Sequence, residues 1–469
     1  MIRTPLATAA VLALLGAALP ASSALTQSAL IFPAPAKTFE GRVSFASATQ
    51  GQPILPGAEV VATGQGFAPG QTVQLLHGTT SVLEDVTADA EGGFEARFRL
   101  PADAAVGVHP LIVVSPVPYA AVVAELKVSP AIPASGEDRY DILRGAATRG
   151  LYQSAYSAKN DAIFVASAVG RPPVRQSELL RMDADTLEIE ARMTPAAAPA
   201  RVGRDGAPAD GGLYAVYGVG VDDVHDTVWV TQSRQNTVAV YRQSDLSLVR
   251  QFDPGTVNHA RDVVVDQALN KAYASATFEP EVVVFDTARP EVARRIAIAS
   301  TLRGERFSAA SLSLNAAAHR LYVVSNSTNE VAVIDTRTDA LLKVLPVPGA
   351  RSAIGVSHDP QTGRIFVAAQ GSDNVVILDG ETGAVVADTP VGAGALNVVF
   401  DPVSRQAFVA NRGSSSIAVI DADGRLLANL DGAPQANHVA TDGQGVIYAV
   451  TKGGDQDDAN TVWRIQPKR

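Results

Sequence analysis

Short apolar runs separated by turn-forming residues mark the first part of the chain. Between about residues 39 and 130 they include Ala58–Ala62, Thr72–Leu76 and Leu111–Val114, and Gly92-Gly93 precedes the alternating segment Phe94–Phe98. Short strands bounded by glycine and proline at this spacing are typical of a β-sandwich. The pattern therefore predicts a small sandwich over residues 39–130. The Pro- and Gly-containing stretch 131–137 is interpreted as a linker that few contacts cross.

A different pattern repeats from about Asp138 to the C-terminus. Each unit has a strand centred on an aromatic residue, a polar loop and a second apolar strand. The aromatic positions are Phe164, Trp229, Tyr273, Tyr322, Phe366, Phe408 and Tyr448, in steps of 65, 44, 49, 44, 42 and 40 residues. A period of ~40–50 residues with four strands per unit is the signature of a β-propeller. Seven such positions predict seven blades over residues 138–469.

The two ends of the repeat indicate how the ring closes. The last unit ends at Trp463-Arg464-Ile465, close to the C-terminus, so its fourth strand is missing. An apolar strand, Tyr140–Gly145, precedes the first unit. We expect the 138–145 strand to complete the last blade, because this pairing removes an open sheet edge.

The repeat also resembles a known family. Segments Tyr322–Thr336 and Phe366–Gly383 resemble YVTN-type repeats, and residues 138–469 are similar to periplasmic YncE-like proteins. Segments Gly64–Gly70 and Gly92–Phe94 resemble bacterial immunoglobulin-like modules. These resemblances imply an all-β protein, a seven-bladed β-propeller with an N-terminal immunoglobulin-like β-sandwich. The propeller group contains binding proteins without catalysis, and its relatives include lactonases and quinone-dependent dehydrogenases.

The N-terminus carries the pattern of a secretory signal. Arg3 precedes the apolar run Ala9–Leu19 and the small residues Ser22-Ser23-Ala24, which predicts a signal peptide over residues 1–24. The run is shorter than the ~20 residues that span a membrane. We therefore expect a soluble periplasmic protein with a short leader over residues 25–38. The absence of cysteine suits that oxidising compartment and excludes disulfides and thiolate chemistry.

Charge is distributed unevenly along the repeat. The net charge is −10, with 38 basic and 48 acidic residues, which argues against a general polyanion-binding surface. Aspartates that follow strands can close turns through the backbone, whereas the repeat does not require the basic residues. We therefore predict a ligand-binding site at one mouth of the central channel. Its candidate residues are Arg234, His259, Arg261, Asp262, Arg306, Arg351, Asn397, Arg412, His438 and Lys452.

The favoured function is non-enzymatic binding of an anionic small molecule or an envelope protein by a monomer. We expect no cofactor, no catalytic residue and no metal, because His259, His438 and Asp262 lack metal-binding spacing and nucleophile-elbow and phosphate-loop motifs are absent. Two alternatives stay open. One is an enzyme of the lactonase or quinone-dependent dehydrogenase type. The other is binding of single-stranded nucleic acid, which needs aromatic residues beside the basic ones; the candidates are Tyr152, Tyr214, Tyr217 and Phe307.

Overall fold

The computed structural model describes residues 35–203, 206–453 and 460–468, and the backbone alone of Glu84. The predicted signal peptide and residues 25–34 of the predicted leader lie outside these ranges. The described chain is nearly all β, as predicted, and its one helix is a 3₁₀ turn over Glu137–Arg139. Within the described ranges, no helix is long and apolar enough to cross a membrane.

Seven strands form the N-terminal unit: β1 (Arg42–Ser47), β2 (Glu59–Gln65), β3 (Thr72–His77), β4 (Thr80–Thr87), β5 (Phe94–Arg99), β6 (Gly107–Pro116) and β7 (Tyr119–Val128). They make two antiparallel sheets, in the strand orders β1-β2-β5 and β4-β3-β6-β7. Alternate residues of β2 and β3 are buried, as expected for strands with one face on a core. Phe94 of one sheet and Leu75 and Val113 of the other share that core with Phe67, which follows β2.

Seven four-stranded antiparallel sheets follow. In chain order, their strands are β8 (Tyr140–Ala146); β9 (Leu151–Ser157), β10 (Ala162–Val169), β11 (Gln176–Asp183) and β12 (Ile189–Met193); the hairpin β13 (Arg201–Val202) and β14 (Pro208–Ala209); β15 (Val219–Asp222), β16 (Thr227–Gln232), β17 (Thr237–Arg242) and β18 (Leu248–Gln251); β19 (Ala260–Asp266), β20 (Lys271–Ala276), β21 (Glu281–Asp286) and β22 (Glu291–Ala297); β23 (Ala309–Asn315), β24 (Arg320–Ser325), β25 (Glu330–Asp335) and β26 (Ala340–Pro346); β27 (Ala353–His358), β28 (Arg364–Ala369), β29 (Asn374–Asp379) and β30 (Val385–Pro390); β31 (Ala395–Asp401), β32 (Gln406–Asn411), β33 (Ser416–Asp421) and β34 (Leu426–Leu430); and β35 (His438–Thr441), β36 (Ile447–Val450) and β37 (Thr461–Pro467).

The first strands of these sheets contact one another in a cycle. Strand β9 contacts β15, and the contacts continue through β19, β23, β27, β31 and β35 back to β9. In the last sheet, the fourth strand is β8, which pairs antiparallel with β37 from Tyr140 opposite Pro467 to Ala146 opposite Thr461. The backbone donors and acceptors along that side of β37 are therefore paired.

The aromatic residue of each repeat lies in the second strand of its sheet. All seven are buried, and five of them are completely so: Phe164, Trp229, Tyr273, Phe366 and Phe408. They pack between neighbouring sheets; Trp229 of β16, for example, lies against Phe285 of β21 with ring centroids 5.5 Å apart. Burial of these large side chains at every junction explains why the repeat period is legible in the sequence.

The stretch before Asp138, predicted as a linker, forms hydrogen bonds with the ring. Ser135 and Asn429 exchange two backbone hydrogen bonds of 3.0 Å, and the Asn429 side chain donates to the Ile132 carbonyl at 2.9 Å. The sandwich contacts the ring as well: the Lys127 ammonium lies 2.8 Å from the buried carboxylate of Asp373. Edge strand β34 offers unpaired backbone groups to the passing chain, which composition alone does not reveal.

Candidate functional site

Basic side chains converge at the end of the ring where the first strands begin, here called the mouth. Arg234, Arg412 and Lys452 occupy the same turn in three sheets, directly after β16, β32 and β36. Arg261 lies at the start of β19. Alternation of strand direction brings the turn after each second strand to the same end as the start of each first strand.

The pKa values of the mouth residues reflect one another's charge. Burial, together with Arg412 and Arg234, lowers the pKa of Lys452 to about 8. Burial also lowers the pKa of His259, and Arg234 and Arg261 add to that effect. Like charges within reach disfavour one another's charged forms. Arg234, Arg261, Arg412 and Lys452 therefore bring positive charge to one end of the ring in a chain of negative net charge.

Within the described residues, no carboxylate lies within 4.0 Å of Arg234, Arg261, Arg412 or Lys452. The buried Nε of Arg261 has no hydrogen-bond partner. An unpaired buried donor costs about 1–3 kcal/mol.

Aromatic rings hold two of these cations in place. The Lys452 ammonium lies 4.7 Å from the centre of the Tyr152 ring, and Arg234 Nε donates to the Tyr217 hydroxyl at 3.4 Å. The Tyr152 and Tyr217 rings meet edge to face at 4.8 Å. The segment between β12 and β15, which carries the β13–β14 hairpin, supplies Tyr217. Cation–π contacts favour an ammonium without neutralising its charge.

A ring of polar residues below the mouth connects neighbouring sheets. The side chain of Gln153 accepts from Val219 N–H at 3.2 Å, Asp262 from Leu312 N–H at 2.9 Å, Asn397 from Val439 N–H at 2.9 Å, and His438 Nδ1 from Ser154 N–H at 3.4 Å. Each bond joins one sheet to the next. Asp262 and Asn397 therefore join neighbouring sheets. Their side-chain oxygens accept these backbone hydrogen bonds and do not face the channel as free acceptors. Burial raises the pKa of Asp262 to about 6, although the hydrogen bonds from backbone donors and the charge of the nearby Arg261 act to lower it.

One ring nitrogen of His438 remains available to donate a hydrogen bond. Because its Nδ1 accepts from Ser154, the ring proton is assigned to Nε2, which is left as a donor. Burial, together with Arg261, lowers the pKa of His438 to about 3. The imidazole is therefore neutral at pH 7, and it adds a hydrogen-bond donor without adding charge.

Two predicted site residues are engaged elsewhere. Arg306 pairs with Glu279 at 2.7 Å. Arg351 reaches Glu125 of the sandwich, with Nη2 2.8 and 3.0 Å from its two carboxylate oxygens. Repeat position alone placed both with the mouth, but acidic residues distant in the sequence neutralise them. Of the ten predicted residues, the structure brings together Arg234, His259, Arg261, Arg412, His438 and Lys452.

Sequence reasoning missed Phe278, an aromatic residue at this end of the ring. It follows β20, is 61% exposed, and stacks on His259 with ring centroids 4.1 Å apart and planes 17° apart. Its position in the same turn as Arg234 and Arg412 was the available signal. The predicted candidate Phe307, by contrast, is buried in the core between two sheets.

Carboxylates at the opposite end of the ring close turns. Asp183, Asp335 and Asp379 each accept hydrogen bonds from two backbone N–H groups and one threonine hydroxyl just after their strand. Bonds from Thr382 hold the pKa of Asp379 below its usual range. In Asp335, hydrogen bonds and Arg337 outweigh burial and lower the pKa to about 2. In the part of the chain that the structure describes, no group of three or more metal-binding side chains is assembled.

The chain resembles proteins of one named group. No protein-family profile matches it. The YncE protein of Salmonella typhi is 24% identical over 303 aligned residues, covering 53% of this chain and 80% of the relative. The YncE protein of Escherichia coli K12 is 23% identical over 258 residues, covering 53% of this chain and 67% of the relative.

Solved structures of the same shape cover about 70% of the chain. Hydrazine synthase of Kuenenia stuttgartiensis has a TM-score of 0.54 at 14% identity, covering 67% of this chain and 96% of that one. Virginiamycin B lyase from Staphylococcus aureus has 0.51 at 9%, covering 70% and 99%. The ring is a β-propeller similar to YncE. At these identities the structural matches establish the propeller fold alone, and the YncE relatives are uncharacterised.

Proposed function

We propose that the chain is an exported periplasmic protein that binds an anionic ligand at the mouth of its β-propeller without catalysing a reaction. The ligand is a small anion or an acidic group on an envelope protein. The proposal includes seven blades, one for each four-stranded sheet, and an immunoglobulin-like sandwich before them. The sheet orders β1-β2-β5 and β4-β3-β6-β7 support the latter, since seven-stranded sandwiches of that class divide into two such sheets.

The observation that carries the proposal is the convergence of Arg234, Arg261, Arg412 and Lys452 without a described carboxylate partner. Burying the Lys452 ammonium, and placing it near Arg412 and Arg234, costs free energy, as its lowered pKa indicates. Positively charged concave sites concentrate anions even on proteins of negative net charge. A ligand that neutralises the cluster would recover that cost.

Each residue has a distinct part in the proposed site. Arg261, which is half-buried, offers its guanidinium charge, and Lys452 offers an ammonium positioned by Tyr152. Charge-assisted hydrogen bonds of this kind are about twice as strong as neutral ones. His438 lies below them and donates from Nε2. Asp262 and Asn397 keep a structural role between sheets.

Calorimetric titration with citrate as an anionic probe tests the proposal. We expect binding that weakens steadily as salt is raised, since exposed charges are screened over about 8–10 Å at physiological ionic strength. Arg337→Ala, which removes an exposed arginine at the opposite end, is the matched control for Arg261→Ala. Equal affinity in both variants, or affinity independent of salt, would contradict the proposed site.

Single-stranded nucleic acid is a second candidate ligand, favoured by the exposed Phe278 ring and by Tyr152 beside Lys452. Bases stack on such side chains at about 1–3 kcal/mol each. A labelled oligothymidylate should then bind more tightly than citrate, and Phe278→Ala should weaken the oligonucleotide about fivefold or more while leaving citrate unchanged. If Arg261→Ala abolishes the binding of citrate and of the oligonucleotide while Phe278→Ala affects neither, the Phe278 ring takes no part in binding. The site would then be restricted to small anions.

A further inference from the structure

A cleft lies between the sandwich and the ring, at the end of the ring that carries the mouth. Two ion pairs join its walls: Glu125 with Arg351, and Lys127 with the buried Asp373, which lies in the turn after β28. Beside these contacts are two cavities of about 650 and 430 Å³. The residues that line both of them are Gly51, Lys127, Gly394 and Gly413. The two cavities are therefore parts of one cleft.

The smaller cavity reaches the basic residues of the mouth. Arg412, one of those residues, lines it together with Gln435. Gln435 follows Pro434, whose carbonyl accepts a hydrogen bond of 2.9 Å from Lys452 N–H. Arg412 is exposed, and it forms no ion pair with a residue that the structure describes. A ligand held at the mouth can therefore extend into the cleft.

Uncovered backbone and side-chain amides make up much of the lining of the smaller cavity. Gly51, Gly394 and Gly413 contribute no side chain there, so another backbone can approach closely. Gln370 and Gln435 each bring an amide group, which both donates and accepts hydrogen bonds. An extended peptide offers the matching groups, since every residue other than proline carries one N–H and one C=O. The lining therefore suits a polypeptide backbone.

We propose that the cleft binds the C-terminal tail of a partner protein, with the terminal carboxylate at Arg412 and the preceding residues extended between the sandwich and the ring. This inference rests on the proposed function and names its partner, because the anion at the mouth is then the end of a polypeptide. A guanidinium and a carboxylate form a charge-assisted hydrogen bond. The ion pairs of Glu125 and Lys127 with the ring position both walls in advance, so little ordering is needed on binding.

Calorimetric titration of the whole protein with short peptides tests the inference. The probe is the N-acetylated hexapeptide Ser-Ala-Ser-Ala-Ser-Ala, with either a free carboxylate or an amide at its C-terminus. We expect the free acid to bind at least tenfold more tightly, because the amide loses a hydrogen bond to a charged group. The N-acetylated dipeptide Ser-Ala, as the free acid, should bind at least tenfold more weakly than the hexapeptide because it leaves the cleft empty.

Substitutions in the cleft separate this inference from the proposed function. Gln370→Trp narrows the cleft, so it should weaken the hexapeptide at least tenfold and leave citrate affinity unchanged. Gln361→Trp is the matched control, in an exposed turn at the opposite end of the same sheet, and should change neither affinity. Gln50→Trp narrows the cleft from the exposed loop after β1 and replaces Gln370→Trp if that variant does not fold.

Three results would each overturn the inference. They are equal affinity of the acid and the amide, equal affinity of the hexapeptide and the dipeptide, and a hexapeptide affinity that neither cleft variant changes. Absence of hexapeptide binding would overturn it as well. If citrate binds in any of these cases, the proposed function stands with a small anion as its ligand. If citrate does not bind either, the proposed function fails too.

Discussion

The two ends of the ring carry charged residues for different reasons. At the end opposite the mouth, carboxylates such as Asp335 and Asp379 accept bonds from the backbone of their own turns. At the mouth, Arg261 and Lys452 form no ion pair with a described residue. One set of charges is used within the fold, and the other is available to a ligand.

This difference shows that the number of charges is a poor guide to function. The chain has more acidic than basic residues, yet the repeat itself explains the acidic ones. A charge becomes informative where its local structure leaves it without a partner. Three substitution experiments and one pH experiment test this contrast between the two ends.

The largest expected effect is on stability, at the acidic end. Asp359 is buried and pairs with both terminal nitrogens of Arg405. Asp359→Ala should lower the free energy of unfolding by about 3–5 kcal/mol, because it leaves a charge without its partner. Denaturant unfolding measures the change, and Glu381→Ala, at an exposed carboxylate, is the control. If the free energy of unfolding falls by less than about 1 kcal/mol, the carboxylates at this end are not important for the fold and the contrast does not hold.

The next effect is on binding, at the mouth. Arg261→Ala combined with Lys452→Ala should reduce citrate affinity at least tenfold, because two charge-assisted donors are lost. The free energy of unfolding should stay the same or rise, because the substitutions remove a buried donor without a partner and a buried charge without a described carboxylate beside it. Calorimetric titration and denaturant unfolding of the same preparation give both quantities. A variant that unfolds easily and still binds would reverse the assignment.

A smaller effect is expected from pH. The pKa of Lys452 is about 8, so its ammonium is present below that pH and is lost as the pH rises through it. Anion affinity should therefore decline above about pH 8, and binding near that pH should take up a proton because the anion favours the charged form. Titration in buffers of different ionisation enthalpy detects the uptake. The uptake should vanish in Lys452→Met; if it persists there, another group is responsible.

The smallest effect is expected for Arg351, which the sequence placed with the mouth. Its partner is Glu125 of the sandwich, and both side chains are about half exposed. Arg351→Ala should change the free energy of unfolding by no more than about 1 kcal/mol and leave citrate affinity as it was. Loss of affinity comparable to that of Arg261→Ala would return Arg351 to the binding site and weaken the distinction drawn between paired and unpaired cations.

Much of the fold was predictable because its signals are local. An aromatic residue in each second strand must be buried between sheets, so Phe366 and Phe408 mark the period whatever lies around them. The strand Tyr140–Ala146 could be predicted to pair with β37 because it belonged to no other sheet and the last sheet had an open edge. Turn-closing aspartates were equally legible, since their partners lie two or three residues away.

The candidate site was only partly predictable because its signals are not local. Repeat position placed Arg234, Arg261, Arg306 and Arg351 at one end of the ring, but it carried no information about Glu279 or about Glu125. The hydrogen bonds of the stretch before Asp138 could not be predicted for the same reason, since Asn429 lies almost three hundred residues from Ile132. Polar residues of the channel were found in the sequence, but their bonds to the next sheet were not.

Hydrophobic period and turn chemistry act over a few residues, so the all-β class, the repeat and the end of the ring at which the basic residues lie could be inferred from the order of the amino acids. The tertiary structure was needed to establish which cations are neutralised and which polar side chains join neighbouring sheets. Those properties depend on contacts between groups that are far apart along the chain, and local sequence patterns carry no information about such distances.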